Sequence, residues 1–226
     1  MKAMADNLQA VRARISRAAK AARRGADTVR LLAVSKTHPA ARIAEVHAAG
    51  QGAFGENYVQ EAIEKMDALP DLEWHLIGPL QSNKTRLVAE RFQWVHTVDR
   101  EKIARRLSEQ RPAHLPPLNV LVQVNASGET TKSGATFAEV EALAHAIASM
   151  PRLKLRGVMA IPEPGAPRER YREVNSLYER IKEPFALDTL SMGMSDDLEI
   201  AIEEGATMVR IGTAIFGQRR KEKHAA

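Results

Sequence analysis

Along this chain two spacings of apolar residues take turns. Short runs with alternating or continuous apolar positions read as strands: "RLLAVS", "GAFGE", "EWHLIG", "QWVHTV", "LNVLVQVN", "LKLRGVMA", "DTLSMG" and "TMVRIG". Between them the apolar positions fall three and four apart, as on one face of a helix. Those segments are "AARIAEVHAAG", "ENYVQEAIEKMDAL", "KTRLVAER", "REKIARRLSEQ", "TFAEVEALAHAIASM", "RERYREVNSLYERIK" and "SDDLEIAIEEG". Strand–helix alternation implies a parallel sheet, because parallel neighbours need crossover connections. Eight strands in 226 residues leave a closed barrel or an open doubly wound sheet. The open sheet calls for a G-x-G-x-x-G turn after an early strand, and the sequence has none. Its glycine-rich turns come after the last two strands, where a (β/α)8 barrel keeps its phosphate site. The expectation is one α/β domain over residues 1–226, a (β/α)8 TIM barrel. An extra N-terminal helix is expected at about 5–24 and a basic tail at about 218–226.

That first helix would bury Leu8, Val11, Ile15, Ala18 and Ala22 and turn its arginines to solvent. It leads into the first strand without a linker, so it reads as structure and not as a transit peptide. Much of the net charge of +5 sits in it and in "QRRKEKH". Aromatic residues are only 4% of the chain, too few for base stacking, so no nucleic-acid partner is expected. No apolar run approaches the roughly 18 residues of a membrane span. Cysteine is absent, which removes disulfides and thiolate chemistry and suits a reducing, cytoplasmic setting.

In such a barrel the chemistry gathers where strands end. Lys36 follows the first strand on the side of Leu32 and Val34, where partial desolvation favours a nucleophilic amine. From position alone a surface lysine just past a strand is the favoured reading. In "SMGMSDD" Gly193 permits an unusual turn, and Ser195 stands as an N-cap with Asp196 and Asp197 in the first helical turn. "VRIGTAIFG" adds Gly212 and Thr213, a second set of donors. Plain capping would explain Ser195 by itself. Arg210 interrupts a buried strand and needs a partner inside, for which a structural ion pair would suffice. Together these residues suit a phosphorylated aldehyde with a ring nitrogen. Pyridoxal 5′-phosphate (PLP) fits, as a lysine Schiff base with an arginine at the pyridine nitrogen. A Schiff-base aldolase acting on a phosphosugar is the alternative, and Arg210 argues against it because a phosphosugar has no ring nitrogen. Asn57, Gln123 and Asn125 are placed to line the mouth. His75 reads as a hydrogen-bonded interior residue, and Met159, Met192 and Met194 as filling or walling groups. No His, Asp and Glu set has metal spacing.

"LLAVSKTHP", "FGENYVQE", "WHLIGPLQSNK", "VNASGETTKSG", "LSMGMSDDLEIAI" and "VRIGTAIFG" closely resemble the pyridoxal phosphate homeostasis proteins, the YggS/PROSC family. The resemblance spans about Leu31 to Gly217 and implies a barrel like the N-terminal domain of alanine racemase. It implies Lys36 as the Schiff-base lysine, Ser195, Gly212 and Thr213 as phosphate contacts, and Arg210 at the pyridine nitrogen. Asn57 and Met194 would lie near the ring. Racemisation needs acid–base groups on both faces, and alanine racemase takes its second base from a tyrosine of another domain. This chain has Tyr58, Tyr171 and Tyr178, the last two expected away from the mouth, and no second domain is expected. The resemblance therefore implies a non-catalytic, monomeric carrier of PLP, with PLP-dependent apo-enzymes as recipients and PLP-dependent racemase as the alternative.

Overall fold

The computed structural model describes residues 2–129 and 132–218, so the expected basic tail lies outside the described residues except for Gln218. Eight strands alternate with helices: α1 (Lys2–Ala21), β1 (Arg30–Val34), α2 (Ala40–Ala48), β2 (Ala53–Glu56), α3 (Val59–Ala68), β3 (Glu73–Leu76) and α4 (Thr85–Arg91). There follow β4 (Trp94–Val98), α5 (Glu101–Gln110), β5 (Leu118–Val124), α6 (Val140–Ala148), β6 (Leu153–Ala160), α7 (Arg168–Lys182), β7 (Thr189–Ser191), α8 (Leu198–Glu203), β8 (Met208–Ile211) and the one-turn α9 (Thr213–Phe216). All neighbours pair in parallel in sequence order and β8 closes on β1, which is the expected (β/α)8 barrel.

Period-two alternation sorts the strand residues into two layers. Ala33, Phe54, Trp74, Leu76, Val95, Val209 and Ile211 face outward and join the helices in one large apolar cluster. Leu32, Val34, Ala53, Ile77 and Met208 fill one part of the inside, and Trp94, Leu121 and Met159 another. Met192 faces the helices, so of the three singled-out methionines only Met159 fills the barrel.

Helix starts differ from the apolar spacing in an informative way. The segments "ENYV" and "SDDL" look helical, yet α3 begins at Val59 and α8 at Leu198. Glu56 ends β2, Asn57 and Tyr58 form the turn, and Asp197, not Ser195, is the N-cap of α8. The residues ahead of each helix build the barrel's mouth. At α6 the delay has a local cause: Glu139 Oε2 accepts from the Thr136 backbone N–H and hydroxyl, which makes a turn before Val140. Helix α1 starts at Lys2 and stops at Ala21, which leaves Ala22 half-exposed, while Leu8, Val11, Ile15 and Ala18 are buried. Among the described residues no helix is long and apolar enough to cross a membrane.

Candidate functional site

Lys36 lies one residue beyond a fully bonded anchor. Ser35 donates its backbone N–H to Gly55 O (3.0 Å) and its hydroxyl to Glu56 Oε1 (2.6 Å). Its carbonyl accepts from Lys65 Nζ (2.9 Å) and from the His38 N–H (3.1 Å). On the other side Thr37 takes a left-handed φ of 66°, unusual for a β-branched residue, and gives its N–H to Glu61 Oε1 at 2.6 Å. With Ser35 facing the helices, alternation turns the half-buried Lys36 inward. His38 then stacks on Phe216 of α9 (ring centroids 4.9 Å apart), which ties this turn to the turn after β8.

After β7 the chain reverses at Gly193 (φ 96°), where a Cβ would lie 2.5 Å from the Ala201 Cβ. Asp197 accepts from the Met194 N–H through one oxygen and from the Tyr171 hydroxyl (2.6 Å) through the other. Its carboxylate is thus spent on the turn and does not confront an incoming anion. Asp196 does line the cavity. Ser195 is held from outside: Arg14 of α1 donates to its carbonyl (3.0 Å) and forks onto Glu199 (2.7 and 2.8 Å). The helix expected to keep its arginines in solvent therefore commits one to the turn at Ser195. The Ser195 hydroxyl lies 3.4 Å from the Ala214 N–H, so the turns after β7 and β8 meet.

Arg210 sits inside the barrel beside Leu32 in the β1–β8 register, almost fully buried. Among the described residues no carboxylate pairs with it directly, unlike the ion pair considered from sequence. Nη1 donates to the Ser191 carbonyl and hydroxyl and Nη2 to the Ala160 carbonyl, each at 2.9 Å. Three of its five donors are so used. Burial lowers its pKa to about 10, which leaves it a cation at neutral pH. Asn57 is positioned by close backbone packing, since a Cβ on Gly78 would lie 2.2 Å from the Asn57 carbonyl oxygen.

These elements meet at one place. Lys36, Asn57, Met194, Ser195, Arg210, Gly212 and Thr213, all seven residues expected from sequence, line a single cavity of about 220 Å³. A larger cleft, about 550 Å³, lies at the other end of the barrel, where Arg12 donates to Gly50 O, Gln51 to the Leu31 and Ala53 carbonyls, and Arg30 to Glu73. Gln123 and Asn125 lie in a neighbouring cavity. They serve the loop after β5: Asn125 Nδ2 donates to the Glu129 carbonyl (2.7 Å), and Gln123 Nε2 to that of Ser133 (3.3 Å). His75 is not among the residues that line this cavity and is hydrogen-bonded in the interior, as its reading implied. Sequence reasoning missed the support of the site: Lys65, Glu56 and Glu61 behind Lys36, Tyr171 and Asp197 behind Met194, and Arg14 behind Ser195. The described residues hold no cluster of three or more potential metal ligands.

The alanine racemase N-terminal domain family matches residues 7–220. The pyridoxal phosphate homeostasis protein of Pseudomonas aeruginosa is 60% identical over 226 residues, covering 97% of each chain. That of Escherichia coli K12 is 54% identical, covering 99% of this chain and 100% of its own. The structure of PipY from Synechococcus elongatus with PLP bound superposes with a TM-score of 0.81 at 35% identity, over 95% of this chain and 100% of that one.

Proposed function

The chain belongs to the pyridoxal phosphate homeostasis proteins, a family built on the alanine racemase N-terminal domain, and on that footing we propose that it holds PLP reversibly without turning over an amino acid. The observation that carries this reading is convergence: an amine, a buried guanidinium and two hydroxyl-bearing turns share one small cavity. PLP, when bound, supplies an aldehyde that condenses with a primary amine.

The residues fit that group. Lys36 would provide the amine, and Ser195, Gly212 and Thr213 the phosphate contacts. Arg210 would face the ring nitrogen with its two remaining donors and, as a cation, disfavour protonation there. Asn57 carries a buried Oδ1 with no donor among the described residues, as expected of a group waiting for a ligand hydrogen. Met194 would lie near the ring.

A carrier is better supported than a racemase because, among the described residues, no tyrosine hydroxyl lines the cavity with Lys36 as a second acid–base group. The Tyr171 hydroxyl is engaged by Asp197, and burial followed by that hydrogen bond raises its pKa well above the usual phenol range. Tyr178 donates to Leu187 O and, chiefly through burial, is raised to about 12. Tyr58 is 58% exposed. With Ile161 and Met194 it is one of the exposed large apolar side chains, and all three follow strand ends at the mouth. An open rim suits exchange of the cofactor with recipient apo-enzymes. Titration with PLP should give a saturable absorbance band that Lys36→Ala abolishes. Incubation of the loaded protein with alanine in deuterated water should show no exchange at the α-carbon. Exchange at enzymatic rates would overturn the carrier reading.

A further inference from the structure

A line of polar groups crosses the inside of the barrel, where branched aliphatic residues ordinarily dominate. It runs from Arg210 Nη1 to Ser191 Oγ (2.9 Å), on to His96 Nδ1 (3.3 Å), from His96 Nε2 to His75 Nδ1 (2.9 Å), and from His75 Nε2 to Glu73 Oε1 (2.5 Å). Glu73, half-exposed at the opposite end of the barrel, also accepts from Arg30 at 2.8 Å. His75, His96 and Ser191 have no exposed surface, so water cannot replace a lost link.

The chemistry of the last acceptor fixes every earlier link. An ionised carboxylate only accepts, so the His75 proton is on Nε2, facing Glu73. Neutral His75 then accepts at Nδ1 from the His96 proton on Nε2, which leaves His96 Nδ1 to accept the Ser191 hydroxyl hydrogen. Ser191 Oγ in turn accepts from Arg210, whose guanidinium only donates. All links run from cation to anion with both imidazoles neutral. Burial, the largest influence on each ring, lowers both pKa values below the usual range in keeping with that state. A line of this kind is costly unless complete, because a half-satisfied buried network is worse than an apolar filling.

We propose that Glu73, His75, His96 and Ser191 are positioning residues that hold the Arg210 guanidinium with its two remaining donors aimed into the cavity, and that they thereby set how it meets a bound ring nitrogen. The second half rests on the PLP reading; the orientation of Arg210 does not. The first test uses ligand-free protein and nitrogen NMR of the histidine rings and the Arg210 guanidinium. Both rings should carry their proton on Nε2. Rotation of the Arg210 Nη groups should become about tenfold faster in His96→Leu and return towards the original rate in His96→Gln, whose amide can both accept and donate. The second test is the absorption maximum of PLP-loaded protein, which should shift in His96→Leu and not in His96→Gln. Melting curves establish that each variant is folded. Should His96→Leu not fold, Glu73→Gln, at the half-exposed end, supplies the same comparison. A proton on His96 Nδ1, or Arg210 rotation unchanged in the folded variants, would overturn the proposal. If wild-type protein takes up no PLP, the cavity reading fails while the nitrogen signals still decide the relay.

Discussion

Two lysines flank the end of β1, and they are used in opposite ways. Lys65 comes in from α3, almost fully buried, and its ammonium meets three acceptors: Ser35 O at 2.9 Å, Glu56 Oε1 at 2.7 Å and Glu61 Oε1 at 2.6 Å. Three donors and three acceptors, two of them carboxylates, make it a structural bolt. Lys36 stands on the other face of the same turn, in a cavity whose other charged groups include a buried arginine. The two are mechanically joined, because the carbonyl that Lys65 grips belongs to the residue before Lys36. Burial alone therefore does not mark a reactive lysine; what its amine faces does. A fixed lysine behind the turn keeps the other aimed at the cavity.

The sharpest way to break the comparison is Lys65→Met. It leaves Glu56 buried without its cation, and burial already raises the pKa of that carboxyl, with Lys65 and then Ser35 opposing. Urea unfolding should report a loss of about 3–5 kcal/mol, as for other buried pairs that lose one partner. Adding Glu56→Gln should restore part of it. Lys36→Ala, at a half-buried position lining the cavity, should cost less stability than Lys65→Met, although it abolishes the PLP band. Next in size is Gly193→Ala, which puts a side chain into a left-handed turn and against Ala201. A loss of about 2 kcal/mol is expected, with weaker phosphate binding because the Met194–Ser195 turn moves; inorganic phosphate competition against PLP would measure it.

The smallest effect per group is in pH. His75 and His96 face each other, Glu73, Arg30 and Arg210, and burial keeps their folded-state pKa values below the ordinary value. The unfolded chain therefore takes up protons first as pH falls. The stability gained from these neutral rings is complete above about pH 6.5 and is lost progressively below it, by up to about 1.4 kcal/mol per pH unit for each ring. Glu73 extends the acid limb. Burial alone would raise its pKa, but the hydrogen bond from His75 and the Arg30 pairing outweigh that and hold it at about 2. Its contribution is present above its unfolded value and disappears as pH falls towards 2. Melting temperature against pH should steepen below 6.5, and His75→Gln should flatten the curve.

The barrel was legible because its inner and outer layers each leave a period-two trace and the helices a 3.6-residue one. The cavity-lining residues were legible because they break that pattern: Lys36 after an apolar strand, Arg210 within one, Ser195 in a glycine turn. Their supports follow the pattern or need strand adjacency to be seen. Lys65, four residues after Glu61, looks like any surface i,i+4 pair on a helix. His75 stands one residue after Trp74 and His96 two after Trp94, and they become partners only once β3 and β4 are known to be neighbours with both rings inward. A polar inner face on two adjacent strands was the available signal. The turn at Asn57 and the N-cap role of Asp197 were hidden by helix-like composition in segments that the barrel uses for its mouth.

The contrast between the two lysines is tested most directly by loading the protein with PLP, reducing with borohydride, and mapping the modified residue by peptide mass. The expected result is a single adduct on Lys36, with Lys65 unmodified until denaturant breaks its carboxylate contacts. An adduct on Lys65 in the folded protein, or none on Lys36, would contradict the assignment of one lysine to chemistry and the other to structure.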